Sequence, residues 1–316
     1  DTTADSSTDA SVDTLAPPSW LDDTSMPLPT SIKQLGIFPD PTDRTRVHSR
    51  LVAYTPAYAL WTDAADKRRW IYLPPNSKVD NTTSAWTFPP GTVFFKHFEY
   101  PGQPVETRVM RRTNNKFEFA TYQWNAAGTD ATLLGGNTPT VVAIATQPTV
   151  LYAIPTETQC KGCHDSNVQR VGTNDVFVQV IGFDELRLNS TLSGATQTQL
   201  AALAARGIFS AALPASPAAI PGSATARAAK GWLHGNCAHC HNRGFKFDAH
   251  YALIEASTVN LPANKPLIVP GKPADSRLYQ AAFVWGTAGL RDMPPVGVSI
   301  YDQTAKPDVS AWISGL

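Results

Sequence analysis

Short runs of aromatic and β-branched residues recur between Ser31 and Ala153. Such side chains favour strands, and turn-forming segments such as Tyr100-Pro101-Gly102 separate the runs. The pattern predicts a small antiparallel sandwich or barrel. Hydrophobic and polar positions do not alternate strictly, so the pattern does not assign the buried face of each strand. The runs are RRWIYLP, GTVFFKHFEY, VETRVMRR and KFEFATYQW.

Helical periodicity appears later in the chain. Leu200, Leu203 and Ala204 would share one side of a helix, and ATARAAKGWLHG follows Ser223, a favourable N-cap residue. A third helix is predicted near the C-terminus, where apolar residues are spaced i, i+3, i+4 and i+7. We expect this last helix to pack across the one that follows Ser223. Its apolar residues are Val309, Trp312, Ile313 and Leu316.

The overall charge of the chain excludes some classes of partner. The 316 residues contain 26 Lys and Arg against 26 Asp and Glu, so the net charge is zero. A neutral chain does not attract nucleic acid or an anionic membrane surface. The sequence also lacks an apolar run of the roughly 18 to 20 residues that a membrane-spanning helix needs. We therefore expect neither nucleic-acid binding nor a membrane-spanning segment.

All four cysteines belong to two Cys-x-x-Cys-His motifs. The first is Cys160, Cys163 and His164, and the second is Cys237, Cys240 and His241. In this motif the two thiols add to the vinyl groups of one porphyrin, and the adjacent imidazole becomes the proximal ligand of the iron. Thioredoxin-like chemistry needs no following His, and a zinc ribbon would bring both pairs to one metal at a shorter interval. The motifs predict two covalently bound haem c groups.

The location of the protein follows from this chemistry. Bacteria attach haem c outside the cytoplasm, and the chain begins at Asp1 rather than Met. We expect an exported protein, periplasmic or extracellular, whose signal peptide has been removed.

Met293 is the predicted distal ligand of the second haem. It lies between the second motif and the C-terminal helix, in a loop that Pro294 and Pro295 stiffen. Methionine is scarce, at three residues in the chain. A thioether held in such a loop is a suitable axial ligand, and His/Met ligation raises the reduction potential of haem.

These elements predict an α+β chain. The expected architecture is a β-rich, sandwich-like N-terminal domain followed by an all-α, cytochrome c-like haem domain. The predicted units are an arm at 1–30, a β-rich domain at 31–155, a first haem-binding segment with a linker at 156–222, and the cytochrome c-like domain at 223–316. The arm is rich in Ser, Thr, Asp and Pro, which predicts a flexible spacer or a partner-binding segment.

Several segments resemble a family of bacterial di-haem c-type cytochromes, largely of uncharacterised function, in which a β-rich region precedes two such motifs. The resemblance covers about residues 50–316. It implies that Cys237, Cys240, His241 and Met293 are the two thioether anchors, the proximal ligand and the distal ligand of one haem. For the other haem it implies only the three residues of the first motif. The segments are YALWTDAADKRRWIYLP, FPPGTVFFKHFEY, VETRVMRR, ATYQWNAAGTDATLL, IPTETQCKGCH, GNCAHCHN and DMPPVG.

The distal ligand of the first haem is the main open choice. We favour His97, because it lies in the aromatic-rich strand FFKHFEY upstream of the motif. The alternative for His97 is a packed or solvated histidine on a β-surface. His239 lies inside its own motif and is expected to face solvent. Met110 comes next, although core packing is favoured over ligation for it, and His48 and His250 are expected at the surface. His234 and Met26 are the remaining candidates, and an empty sixth position is also open.

Two basic clusters are candidates for binding haem propionates. Arginine forms bidentate pairs with carboxylates, although such clusters are more often solvated faces. The clusters are Lys67, Arg68 and Arg69, and Arg108, Arg111 and Arg112.

Three functions are compatible with these features. The favoured one is electron transfer between a redox protein donor and an acceptor. The second is a di-haem redox enzyme, peroxidase-like or oxygenase-like, in which the first iron has an open position. The third is a subunit of a haem-conducting extracellular assembly, a homo-oligomer or filament formed through the arm. The sequence contains no P-loop, dinucleotide fingerprint or Ser-His-Asp arrangement that would indicate another chemistry.

Overall fold

The strands form one principal sheet. The computed structural model describes residues 18–114, 116–171, 173–242, 247–259 and 266–316. Strands β1 to β6 make a six-stranded antiparallel sheet in sequence order, and β7–β8 and β9–β10 are separate two-stranded ribbons. The strands are β1 (Val52–Ala53), β2 (Asp66–Tyr72), β3 (Val93–Tyr100), β4 (Gln103–Arg112), β5 (Phe117–Trp124), β6 (Ala131–Leu133), β7 (Thr140–Ala143), β8 (Leu151–Ile154), β9 (Val168–Val171) and β10 (Asn174–Phe177).

Short helices occur along the whole described chain. The predicted N-cap at Ser223 is confirmed, because its side chain accepts a hydrogen bond from Ala226 N. Thr198 caps α5 in the same way, through a hydrogen bond from Ala201 N. The helices are α1 (Ser19–Asp22), α2 (Ile32–Leu35), α3 (Glu157–His164), α4 (Glu185–Leu188), α5 (Gln199–Ala205), α6 (Ala224–Asn236), α7 (Ile254–Thr258), α8 (Arg277–Phe283) and α9 (Lys306–Ser314), with a 3₁₀ turn at Pro273–Asp275.

Non-strand segments pack on both faces of the principal sheet. On one face, Trp70, Phe95 and Trp124 pack against α1, α2 and Phe38. On the other, Ile71 and Phe94 pack against the segment 180–209, which contains α4 and α5. Because each strand buries both faces, hydrophobic residues need not alternate along it. The predicted sandwich is therefore wrong: the second sheet there is only the two-stranded ribbon β7–β8, whose Tyr152 packs on Phe98 and Tyr100.

The prediction of a separate all-α, cytochrome c-like domain at the C-terminus is also wrong. The structure is β-rich with scattered short helices, and the C-terminal helices pack on a segment from the N-terminal half of the chain. Asp63 accepts hydrogen bonds from the backbone N–H groups of Ser299 (2.8 Å) and Ile300 (3.0 Å), and the indole of Trp61 donates to Ile300 O at 2.9 Å. Such non-local contacts have no signature in the local sequence pattern.

The expected contact between α6 and α9 is confirmed. Ala229 and Leu233 of α6 share a buried cluster with Val309 and Ile313 of α9. The predicted arm is described only from residue 18 onward, because residues 1–17 lie outside the described ranges. Its described part packs on the sheet, where Trp20 and Leu21 are buried.

Candidate functional site

Both Cys-x-x-Cys-His motifs line one cavity of about 1120 Å³. This volume exceeds the roughly 300–1,000 Å³ of a typical small-molecule pocket. The cavity lies between strands β3, β4 and β5, helix α3, the end of α6 and the loop that carries Met293. All six motif residues and Met293, which the sequence places far apart, are thus brought to one space.

Helix α3 presents the first motif to this cavity. Thr156 and Gln159 form a capping box that fixes the start of the helix. On a helix, positions i, i+3 and i+4 share one face, so Cys160, Cys163 and His164 point the same way. Each of the three lines the cavity.

The imidazole of His164 is oriented as a metal ligand requires. Its Nδ1 lies 2.5 Å from the backbone oxygen of Gln179, to which Nδ1–H donates. A hydrogen bond of this kind fixes the ring and leaves Nε2 available for a metal. The ring also contacts Phe119, with 5.1 Å between ring centroids. Burial lowers the pKa of His164 to about 4, so the imidazole is neutral at neutral pH.

The second motif begins at the end of α6. Cys237 N–H donates to Leu233 O, and His241 N–H donates to Cys237 O at 2.7 Å, so the motif forms a tight turn. The His241 ring stacks on Phe247, with centroids 4.3 Å apart. Asn236 Oδ1 accepts a hydrogen bond of 2.6 Å from Trp61 N, which anchors the turn to the N-terminal half of the chain.

The two motifs touch each other. The ligand atoms of Cys163, His239 and Cys240 all lie within 4.8 Å of one another. Ser166 Oγ donates to His239 O at 3.2 Å, and Asn242 Nδ2 donates to Ser166 O at 2.9 Å. His239 is buried and lines the cavity, contrary to the expectation that it faces solvent.

The four cysteines are free thiols rather than disulfides. Burial raises the pKa of Cys160, and it raises that of Cys237 to about 12. The hydrogen bond from the neighbouring thiol of Cys163 lowers the pKa of Cys240. Each motif therefore has two thiols free to form thioethers. The Cys163, His239 and Cys240 cluster has, in addition, the donor set of a soft metal ion.

The loop of Met293 forms another wall. Met293 N–H donates to Ala281 O of α8 at 2.9 Å, and Trp285 Nε1 donates to Met293 O at 3.3 Å. Met293, Pro294 and Pro295 line the same cavity as His241. The structure thus brings the predicted distal ligand to the site of the second motif.

His97 does not line this cavity. Its ring packs against Phe38 and Trp124 on the opposite face of the sheet. Nδ1 lies 2.9 Å from Thr107 Oγ1, and Nε2 lies 3.3 Å from Glu99 Oε2. Because Trp124 Nε1 already donates to Thr107 Oγ1, we assign the Thr107 hydroxyl as donor to Nδ1 and His97 Nε2–H as donor to Glu99. His97 is a satisfied core histidine, and the structure does not bring it to either Cys-x-x-Cys-His motif.

Met110 is the candidate that the structure favours instead. Of the six candidate ligands, all in described ranges, it alone lines the cavity. It is the cross-strand partner of Phe119, whose ring contacts His164. The remaining candidates lie elsewhere: His48 is buried outside the cavity, His234 and His250 pack on each other, and Met26 is exposed. Strand register, which the sequence did not assign, is the signal that separates Met110 from His97.

Comparisons with known proteins add no assignment: no family model, curated protein or solved structure matches this chain. Within the described residues, no helix is both long enough and apolar enough to cross a membrane.

Proposed function

We propose that this chain is an exported di-haem c-type cytochrome that transfers electrons between redox partners. The observation that carries the proposal is that both Cys-x-x-Cys-His motifs face one large cavity and contact each other. When bound, each haem supplies a one-electron centre that needs no further cofactor.

The residues around the cavity suit two haem groups. His164 and His241 each follow a pair of free thiols, and the hydrogen bond to Gln179 fixes the His164 ring. Met293 and Met110 offer one thioether for each haem. Apolar side chains such as Phe94, Phe247 and Leu278 exclude water from much of the remaining wall.

Contact between the motifs favours an electron carrier over two independent sites. An electron that enters at one site has a short route to the other, because Cys163 and Cys240 are neighbours. With a methionine available for each iron, both would be six-coordinate and neither would bind a substrate. A donor and an acceptor protein are then the partners.

Counting covalently bound haem tests this proposal. The chain is produced with a secretion signal in a bacterium that attaches haem c, and haem that survives denaturation is measured per chain. We expect two covalently bound haem groups per chain in the wild type. Either double variant, Cys160→Ala/Cys163→Ala or Cys237→Ala/Cys240→Ala, should carry one. Absence of covalent haem from the wild type would refute the proposal.

A metal ion held by Cys163, His239 and Cys240 is the second candidate, supported by their spacing of at most 4.8 Å. It leaves Cys160, Cys237, His164 and His241 without a role, so we rank it below haem. Stoichiometric zinc or copper without covalent haem, lost in His239→Ala, would establish it.

Carbon monoxide distinguishes a carrier from an enzyme. It binds ferrous haem only where a position is open or easily vacated. We expect no change in the visible spectrum of the reduced protein. Binding of one equivalent would support the di-haem enzyme with an open first iron.

A further inference from the structure

The cavity is lined by basic residues without a matching set of acidic ones. The chain as a whole has equal numbers of acidic and basic residues. Among the described residues that line the cavity, however, six are cationic and none is Asp or Glu. The asymmetry is therefore local and favours an anionic occupant. The six are Arg69, Lys96, Arg108, Arg187, Arg277 and Arg291.

Three of these cations form a row across the sheet, which we call the basic row: Arg69, Lys96 and Arg108. Arg69 of β2 is paired with Lys96 of β3, and Lys96 is paired with Arg108 of β4. Like charges directly opposite each other on a sheet are destabilising. The arrangement needs a compensating negative charge.

The carboxylate of Glu106 supplies only part of the negative charge that the basic row needs. Glu106 is fully buried and binds Arg108, with contacts of 2.9 and 2.5 Å, and it also accepts a hydrogen bond from Tyr152. Within the described residues, no carboxylate lies within ion-pair distance of Arg69 or Lys96.

The other two members of the basic row, Arg69 and Lys96, have no counter-charge among the described residues, and burial lowers the pKa of Lys96 well below its ordinary value. Arg69 is 7% exposed, and a guanidinium stays protonated even when it is buried. Lys96 Nζ lies 4.7 Å from the centroid of the Phe98 ring, and Arg108 Cζ lies 4.4 Å from it. A cation–π contact offsets only part of the cost of burying a charge.

We infer that the basic row binds the carboxylate groups of a porphyrin in this cavity. The inference rests on the proposed function and names the part of the chain that recognises the haem edge carrying the propionates. The guanidinium group of Arg69 can form a bidentate pair with a carboxylate, Arg108 can use the N–H groups that Glu106 leaves free, and Lys96 lies between them. The structure thus selects Arg69 and Arg108 from the two basic clusters of the sequence and adds Lys96, which belongs to neither.

The test measures the reduction potential of each haem in Arg69→Gln and Lys96→Gln. Arg68→Gln is the matched control, because Arg68 adjoins Arg69 on the same strand but pairs with Glu99 and His97 on the other face. Loss of a positive charge beside a haem stabilises the ferric form. We expect at least a tenfold change in the reduction equilibrium of one haem, about 59 mV for one electron, towards lower potential. The control should change it less than twofold.

Charge-preserving variants complete the test. Arg69→Lys and Lys96→Arg should return the potential most of the way to the wild-type value. If a Gln variant loses covalent haem, recovery of loading in its charge-preserving partner supports the inference, and failure to recover overturns it. Potentials that match those of Arg68→Gln, in protein with two haems, also overturn it while leaving the proposed function intact. A wild type without haem would instead refute the proposed function itself.

Discussion

The sulfur atoms of Cys163 and Cys240, one from each Cys-x-x-Cys-His motif, lie within 4.8 Å of each other. Each sulfur is the predicted attachment point of a different porphyrin. The two porphyrin carbons bonded to these sulfur atoms would therefore also be neighbours. This relationship makes the two motifs one site rather than two.

Two haems attached so closely should interact optically. We expect the circular dichroism of the wild type to show a two-signed Soret signal, because neighbouring porphyrin transitions couple. The measurement compares the wild-type spectrum with the sum of the spectra of two variants that each carry one haem. The variants are Cys160→Ala/Cys163→Ala and Cys237→Ala/Cys240→Ala. If that sum reproduces the wild-type spectrum, the haems are not close.

Removal of the Met110 sulfur should open the first iron. Met110→Leu keeps the side-chain volume and should fold, since such exchanges cost roughly 1.5 kcal/mol or less. We expect loss of half of the ferric–thioether absorbance and new binding of one equivalent of carbon monoxide. Met293→Leu should do the same at the second haem. Met26→Leu, at a methionine that is 37% exposed, is the control, and an unchanged spectrum in Met110→Leu would exclude this ligand.

Substitution of His97 should affect stability without affecting the haem spectrum. His97→Leu leaves the Thr107 and Glu99 hydrogen-bonding groups without their partner, which costs on the order of 2 kcal/mol. Denaturant unfolding measures the loss, and the visible spectrum of the folded variant should match the wild type. A change of iron ligation in this variant would instead restore His97 as a ligand.

Acid should weaken the protein partly through Glu99. The hydrogen bond from His97, together with the positive charges of Arg68 and Arg44, lowers the pKa of Glu99 to about 2 from its ordinary value of 4.5. A carboxyl whose pKa is lowered by folding stabilises the fold at pH values above its pKa in the unfolded chain. This contribution disappears as the pH falls from 4.5 towards 2. For a half-buried group we expect on the order of 1 to 2 kcal/mol. The free energy of unfolding of Glu99→Gln, measured against pH, should lack this part of the wild-type decline; parallel curves would contradict the assignment.

The glycine that precedes the second motif should not tolerate a side chain. A Cβ at Gly235 would lie 2.2 Å from the backbone oxygen of Tyr58. We expect Gly235→Ala to cost roughly 1 to 3 kcal/mol and to reduce haem content at Cys237 and Cys240. Gly162→Ala is the control, because Gly162 lies within the other motif on helix α3 and has no atom within 4 Å of such a Cβ. It should stabilise the helix by about 0.5 to 1 kcal/mol; equal losses in both variants would show that the Tyr58 contact is not the cause.

The chemistry of the motifs and the local elements could be predicted from the sequence. Cys-x-x-Cys-His places three groups on one face of a short helix or turn, whatever the remainder of the chain does. The N-cap at Ser223 and the apolar spacing of α9 likewise involve residues a few positions apart. Aromatic and β-branched runs predicted strands because these side chains fit a sheet regardless of its partners.

Only the tertiary structure decided which face of each strand meets the site. Segments on both sides cover the principal sheet, so FFKHFEY carries apolar residues on both faces, and periodicity could not separate Lys96, which lines the cavity, from His97, which does not. The contact of Cys163 with Cys240, the packing of Tyr58 on Gly235 and the basic row all join residues distant in the chain. Their position depends on strand register and chain packing, which are set by the burial of the whole core rather than by any local pattern.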